Sequence, residues 1–202
     1  MEVKTKEEVT QEVTQEVTQE ELTKYTKEEV LESAKEYFKG DVLAAEVWTN
    51  KYALKDTAGN LYEKTPDDMH RRLAREFARI EANFPNPLKE QEIYDLLKDF
   101  KYLVPQGSPM SGIGNDFQYV SLSNCFVIGN EVDSDSYGGI MKLDQELVQL
   151  MKRRAGVGVD LSFVRPSGSP VMNSALTSTG VVPFMERFSN STREVAQGGR
   201  RG

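Results

Sequence analysis

Few side chains in these 202 residues are suited to chemistry, and the first is Cys125, the sole cysteine, in "SLSNCFVIG". A thiol can act as nucleophile, metal ligand or redox donor, with the thiolate as the reactive form. Phe126, Val127 and Ile128 follow it and stop at Gly129-Asn130, the pattern of a short buried strand. The sequence therefore predicts Cys125 at the start or inside of a buried strand, where a single cysteine ordinarily serves as a small hydrophobe. His70, the only histidine, lies beside Arg71 and Arg72 and is expected on the polar, exposed side of a helix. No set of Cys, His, Asp or Glu has ligand spacing, so no metal is expected. Asp135 and Ser136 stand at the start of a helical pattern. They serve there as a plain N-cap or as part of an anion-binding helix start. "GVGVD" and "GIGND" lack the full G-x-G-x-x-G spacing and the strand-to-helix context of a dinucleotide site, and there is no P-loop.

The elements that must position these residues fall into three stretches. Residues 1–25 carry "VTQE" three times in succession, from Val9 to Glu20. They read as a solvated, acidic, partly helical tail. Residues 26–101 read as a helical domain. Thr26 and Glu29 form a capping box, and Val30, Ala34, Tyr37 and Phe38 recur at helical spacing. A second short helix is expected to bury Leu43, Val47 and Trp48. "DTAGN", residues 56–60, predicts the turn of a small hairpin. Thr65 and Pro66 open the clearest helix, whose buried stripe is expected to be Met69, Leu73, Phe77 and Ile80. A further helix is expected to place Ile93, Leu96, Leu97 and Phe100 inward. Residues 102–202 change character to short apolar runs among Gly, Ser, Pro and Asn. There "VPQGSPMSGIGN" reads as loop or irregular strand, and two strands and two helices follow. The Gly-Arg run at the end, just after a helix, reads as cut rather than finished.

Hydrophobic content of 38% and a mean hydropathy of -0.54 are low for a fully packed chain. A net charge of -7 and pI near 5.0 argue against sequence-independent binding to nucleic acid or a membrane surface. One cysteine excludes an internal disulfide and fits a reducing, cytoplasmic setting. No apolar run is long enough to span a bilayer.

"GSPMSGIGN", "SLSNCFVIG", "DSYGGIM", "QLMKRRAGVGVDLSFVRPSGSPV" and "STGVVPFMERFSNSTREVAQGGRRG" occur in that order. Together they closely resemble the N-terminal part of the large catalytic subunit of ribonucleotide reductase, over residues 30–202. "PQGSPMSGIG" and "DSYGGIM" look most like the adenosylcobalamin-dependent class II enzymes. A class I, small-subunit-dependent large subunit is the alternative. The resemblance implies an α/β fold: a helical N-terminal domain, then the first elements of a ten-stranded α/β barrel, incomplete in this chain.

It also implies roles. Cys125 aligns with the first of two reducing cysteines that become a disulfide as the ribose 2′-hydroxyl leaves. Such a donor needs a partner within about 6 Å between Cα atoms, and this chain has none. The radical-bearing cysteine and the second redox cysteine are expected beyond Gly202, so the chain alone is expected to be inactive. Ser108, Ser123 and the Ala155-Gly156 backbone match substrate-lining positions, as does Asn124, where some family members carry Ser. Asp135 and Ser136 match the specificity site for a deoxynucleoside triphosphate or ATP effector, and Arg165 matches a loop residue near the effector's phosphates. Asp133 competes with Asp135 for the carboxylate role, two residues away. Arg153 and Arg154 read as cations at a helix C-terminus.

The implied partners are a ribonucleotide substrate, the remainder of the reductase chain, a second copy in a homodimer and a thioredoxin-type reductant. The rival readings are a nucleotide-binding fragment without reductase activity and a piece that does not fold stably alone. The sequence leaves diphosphate and triphosphate substrates undivided.

Overall fold

The computed structural model describes residues 23–129 and 135–196. The "VTQE" tail, Asp133 and the terminal Gly-Arg run lie outside the described residues. The first half is helical. α1 (Lys27–Tyr37) starts at Thr26, whose Oγ1 accepts from the Glu29 N–H at 3.2 Å while Glu29 Oε2 accepts from the Thr26 N–H at 2.8 Å. This is the reciprocal capping box the sequence signals. α2 (Val42–Lys51) is capped by Asp41. α3 (Pro66–Glu81) begins at Thr65 with Pro66 in its first turn, and α4 (Glu90–Leu97) runs into a 3-10 turn, Lys98–Phe100.

These helices close on Val30, Ala34, Ala45, Trp48, Met69, Leu73, Ala74, Ile93, Tyr94 and Leu97, all buried. The expected stripes are partly corrected. Leu43, Phe77, Ile80 and Leu96 are exposed, on the sides of their helices turned away from the core. His70 is also corrected: it is fully buried. It stands one turn before Leu73 and Ala74, so helical spacing puts it on their face despite its charged neighbours. Its ring meets Phe100 edge-on at 4.5 Å, and neither ring nitrogen has a hydrogen-bond partner among the described residues. Burial lowers its pKa, against the opposing pull of Asp67 and Asp99. The hairpin is reduced to isolated antiparallel bridges at Leu61, with Tyr25 and Lys55. Its turn is held by Asp56, whose carboxylate accepts from the Asn60 side chain, the Tyr62 hydroxyl and the Ala58 and Asn60 N–H groups. Those bonds, led by the Asn60 side chain, hold the Asp56 pKa down to about 2.

"VPQGSPMSGIGN" is not an irregular strand. It contains a short helix, α5 (Gly107–Gly112). The local sequence conceals it because its anchor is remote. Arg72 on α3 donates from Nη2 to Met110 O at 2.9 Å, and from Nη1 to Ile113 O. Its Nε stands 2.7 Å from Glu63 Oε1 in a pair with both side chains almost wholly buried. Glu63 Oε2 also accepts from the Leu54 N–H at 2.8 Å. Burial pushes the Glu63 carboxyl up, with Arg72 opposing.

The second half is a β-α-β unit. β1 (Cys125–Ile128) and β2 (Gly156–Val159) pair in parallel, with Cys125 opposite Gly156 and Ile128 opposite Val159. α6 (Tyr137–Met151) connects them, and α7 (Val182–Val195) packs on α6. Val157, Val159 and Ile128 lie against a core of Ile140, Leu143, Leu147 and Phe188. Arg187 of α7 donates to Asp144 of α6 at 3.0 Å. The α/β class holds. The burial expected for Cys125 does not: its residue is exposed at the first position of β1. Side chains alternate along a strand, and Cys125 and Val127, which is 83% exposed, share the face turned away from α6 and α7.

Candidate functional site

The exposed thiol stands at the N-terminal end of the parallel pair, where both halves of the molecule meet. Asn124 precedes it and binds in two directions. Its backbone carbonyl accepts from the Gly156 N–H at 2.7 Å, which starts the β1–β2 ladder. Its side-chain Oδ1 accepts from the Ser108 N–H at 2.9 Å, in the first turn of α5. A Cβ on Gly156 would stand 3.3 Å from Asn124 O and 3.8 Å from Cys125 Sγ. The glycine therefore leaves the flank of the thiol free of side-chain atoms. Ala155 is fully buried and Ser108 nearly so, while Ser123 is exposed.

The loop before the strand is fixed by Ser121. Its N–H donates to Arg153 O at 2.9 Å and its hydroxyl to Ser123 O at 2.9 Å. Arg154 turns the chain out of α6 at a positive φ of 69° and donates to Lys51 O on α2 at 3.1 Å. Arg153 donates to Gln149 O one turn back, the helix-end role its position suggests. Cys125, Asn124, Ser108, Ala155 and Gly156 are thus gathered at one seam, with Ser123 on the adjoining loop. Sequence reasoning missed three residues that build it: Arg72, Glu63 and Gln106. Gln106 Oε1 accepts from Asn124 Nδ2. An Arg nine residues after a Glu across a helix start was a weak signal for the first two, and Gln106 gave none.

The second group lies at the opposite end of the β-α-β unit. α6 starts after the C-terminal end of β1 and returns to the N-terminal end of β2. With 15 residues it is about 22 Å long. Ser136 is its N-cap, accepting from the Gly139 N–H at 2.9 Å. Asp135 reaches the loop after β2. Its Oδ1 accepts from the Arg165 N–H at 2.9 Å and its Oδ2 from Arg165 Nε at 2.8 Å. Arg165 Nη1 also reaches Pro170 O at 3.2 Å. The Arg165 backbone N–H, then its side chain, hold the Asp135 carboxyl below its usual range, against a smaller effect of burial. A carboxylate, a guanidinium and a helix N-terminus share this corner, the donor and acceptor types that suit a sugar hydroxyl and phosphates. Gly129, with φ +108° and a would-be Cβ 2.5 Å from Asp160 O, lets the two strand ends close together beneath it.

Among the described residues no group of three or more His, Cys, Asp or Glu is placed to hold a metal ion. No described helix is long and apolar enough to cross a membrane.

Two family models match separate stretches of the chain. Residues 38–114 match the family model for the ribonucleotide reductase all-alpha domain, and residues 123–202 match the one for the ribonucleotide reductase barrel domain. The chain is similar to the ribonucleoside-diphosphate reductase subunit alpha of Buchnera aphidicola subsp. Baizongia pistaciae, 29% identical over 60% of this chain and 16% of that protein. Ribonucleoside-diphosphate reductase 1 subunit alpha of Escherichia coli K12 is also 29% identical, again over 60% and 16%. The subunit alpha of Enterobacteria phage T4 is 34% identical over 40% of this chain and 10% of that protein. The chain thus spans 16% or less of the length of these relatives. Between them the two family models match residues 38–114 and 123–202, an all-alpha segment followed by a barrel segment of ribonucleotide reductase.

Proposed function

We propose that this chain is a segment of a ribonucleoside-diphosphate reductase large subunit and contributes a reducing thiol, part of the substrate wall and the effector site. One observation carries the reading: the exposed Cys125 stands beside the side-chain-free Gly156 and is tied through Asn124 to Ser108. That corner can receive a ribose, with Ser108, Ser123, Asn124, Ala155 and Gly156 lining it.

In the reaction a ribonucleotide and two thiols become a deoxyribonucleotide, water and a disulfide. Cys125 is one thiol. The chain holds no other cysteine, so the second thiol and the radical-bearing cysteine come from the remainder of the reductase chain. A thioredoxin-type reductant then restores the pair, in a reducing cytoplasm. The complete enzyme is a homodimer on this reading, and the chain alone is inactive.

Adenosylcobalamin, suggested by "PQGSPMSGIG" and "DSYGGIM", would supply the initiating radical. This chain offers cobalt no imidazole, because His70 is buried in the helical core. The relatives' names, subunit alpha, favour a second reading in which a small subunit supplies the radical. Adding adenosylcobalamin or a radical-generating small subunit to the completed enzyme separates the two.

Asp135, Ser136 and Arg165 take the effector, a deoxynucleoside triphosphate or ATP. The Asp135–Arg165 bonds must then be shared with or yield to it. Two measurements test the proposal. A ribonucleoside diphosphate is expected to slow alkylation of Cys125 severalfold. Calorimetry is expected to show deoxynucleoside triphosphate binding that Asp135→Ala/Arg165→Ala abolishes. Unprotected Cys125 and equal binding by the double variant would leave neither site standing.

A further inference from the structure

We infer that Gln106 is a positioning residue for the thiol corner, setting the orientation of the Asn124 amide and through it the distance between Ser108 and Cys125. The inference rests on the substrate reading of that corner and extends it to a residue with no substrate role of its own. The chain of reasoning starts at a group that has no choice. A backbone N–H only donates, so the Asn124 side-chain atom facing the Ser108 N–H is its oxygen, Oδ1, at 2.9 Å. The amide nitrogen Nδ2 then faces the other way, toward Gln106. Nδ2 only donates, so Gln106 must present its own oxygen, Oε1. The Ser108 N–H and the Gln106 oxygen thus hold the Asn124 amide in one orientation from its two ends.

The arrangement answers a local need. Ser108 lies in the first turn of α5, where backbone N–H groups lack partners inside the helix. Gln106 is the N-cap residue of α5, yet its side chain makes no capping bond to its own helix. The cap comes instead from Asn124, sixteen residues beyond Ser108, and Gln106 holds that cap in place. Asn124 also gives its carbonyl to Gly156. Its peptide unit, continuous with Cys125, is therefore pinned to α5, to β2 and to Gln106 together. Without Gln106 the amide is held from one end only, and the bond from Ser108 opens more often.

The test uses the full chain and two readouts. The first is hydrogen exchange at the Ser108 amide relative to that of Leu97 in the helical core. The second is Cys125 alkylation with and without each common ribonucleoside diphosphate. Gln106→Leu is expected to speed Ser108 exchange about tenfold, the size of one lost hydrogen bond, with Leu97 unchanged, and to lessen diphosphate protection of Cys125. Gln106→Glu keeps an acceptor and should match the parent chain in both. Gln106→Lys presents only donors and should behave like Gln106→Leu. Adding Asn124→Asp to Gln106→Lys restores the polarity, since the carboxylate accepts from both the lysine and Ser108, and should recover slow Ser108 exchange.

Unchanged exchange in Gln106→Leu would overturn the inference, as would a glutamate as damaging as leucine. If Gln106→Leu fails to fold, the Gln106→Lys/Asn124→Asp pair decides, because no recovery over Gln106→Lys refutes the polarity argument. Absence of diphosphate protection in the parent chain would instead refute the substrate reading, while Ser108 exchange still judges Gln106.

Discussion

The two halves of the molecule are built to different densities. Among the described residues twelve buried side chains close the helical core, against four beneath the β-α-β unit, so the helical half is the firmer body. All the residues assigned to chemistry except Ser108 lie in the thinner half. Ser108 sits on α5, which the helical half holds through Arg72. The contrast suggests a division of labour. The helical body supplies a fixed wall, and the β-α-β unit brings thiol and effector residues to its two ends, joined by the rigid rod of α6.

The largest expected effect tests the bolt between the halves. Arg72→Met leaves Glu63 buried without its cation and frees α5. A loss of about 3–5 kcal/mol in urea unfolding is expected, as for other buried pairs with one partner removed. Next come the cores themselves. Leu73→Ala, in the helical core, is expected to cost about 4 kcal/mol, and Leu147→Ala, under the sheet, about 2 kcal/mol, within the range for such truncations and ordered by how far each site can relax. Equal costs would erase the contrast.

Smaller again is Asp135→Asn. Its partner is partly exposed, so the cost in global stability is expected to be under about 1 kcal/mol, with faster hydrogen exchange at the Arg165 amide as the clearer readout. Acid should do the same. The Asp135 carboxyl sits below its usual value in the folded chain. Its contribution is therefore complete above the ordinary aspartate value, about 3.9, and is lost as pH falls through the lower folded value. Arg165 amide protection should fade over that window before the helical core opens. Val127→Thr, on the outer face of β1, should change stability by no more than about 0.5 kcal/mol.

The helical half was legible where local rules act alone. The capping box at Thr26 and Glu29, the Pro66 helix start and the Asp56 turn all follow from neighbours a few residues apart. The errors arose where the position of the core mattered. Phe77 and Ile80 recur at helical spacing, but the face of α3 that packs is the one carrying His70, Leu73, Ala74 and Ala78. For His70 the charge of Arg71 and Arg72 signals exposure, although its spacing from Leu73 and Ala74 points inward. α5 was invisible because its Gly, Ser and Pro residues favour loops, and the bonds that hold it come from Arg72 and Asn124. At the site, the sequence points to the right strand for Cys125 and the wrong face, since Phe-Val-Ile reads as fully buried whether or not alternate residues face out. Gln106 could not be found from sequence at all, because its partner is fixed by an amide orientation that only the folded chain determines.

The alternation along β1 makes chain length a matter of parity. Cys125 shares a face with Val127, and Ile128 occupies the other, against α6 and α7. Adding or deleting one residue between Ser121 and Cys125, with the ladder kept, would turn the thiol inward and put Phe126 in its place. Two residues would restore the face and shift only the depth. The stretch from Ser121, anchored to Arg153 O, to Cys125 therefore tolerates changes in steps of two better than in steps of one, a counting rule that acts on this segment before any side chain in it is considered.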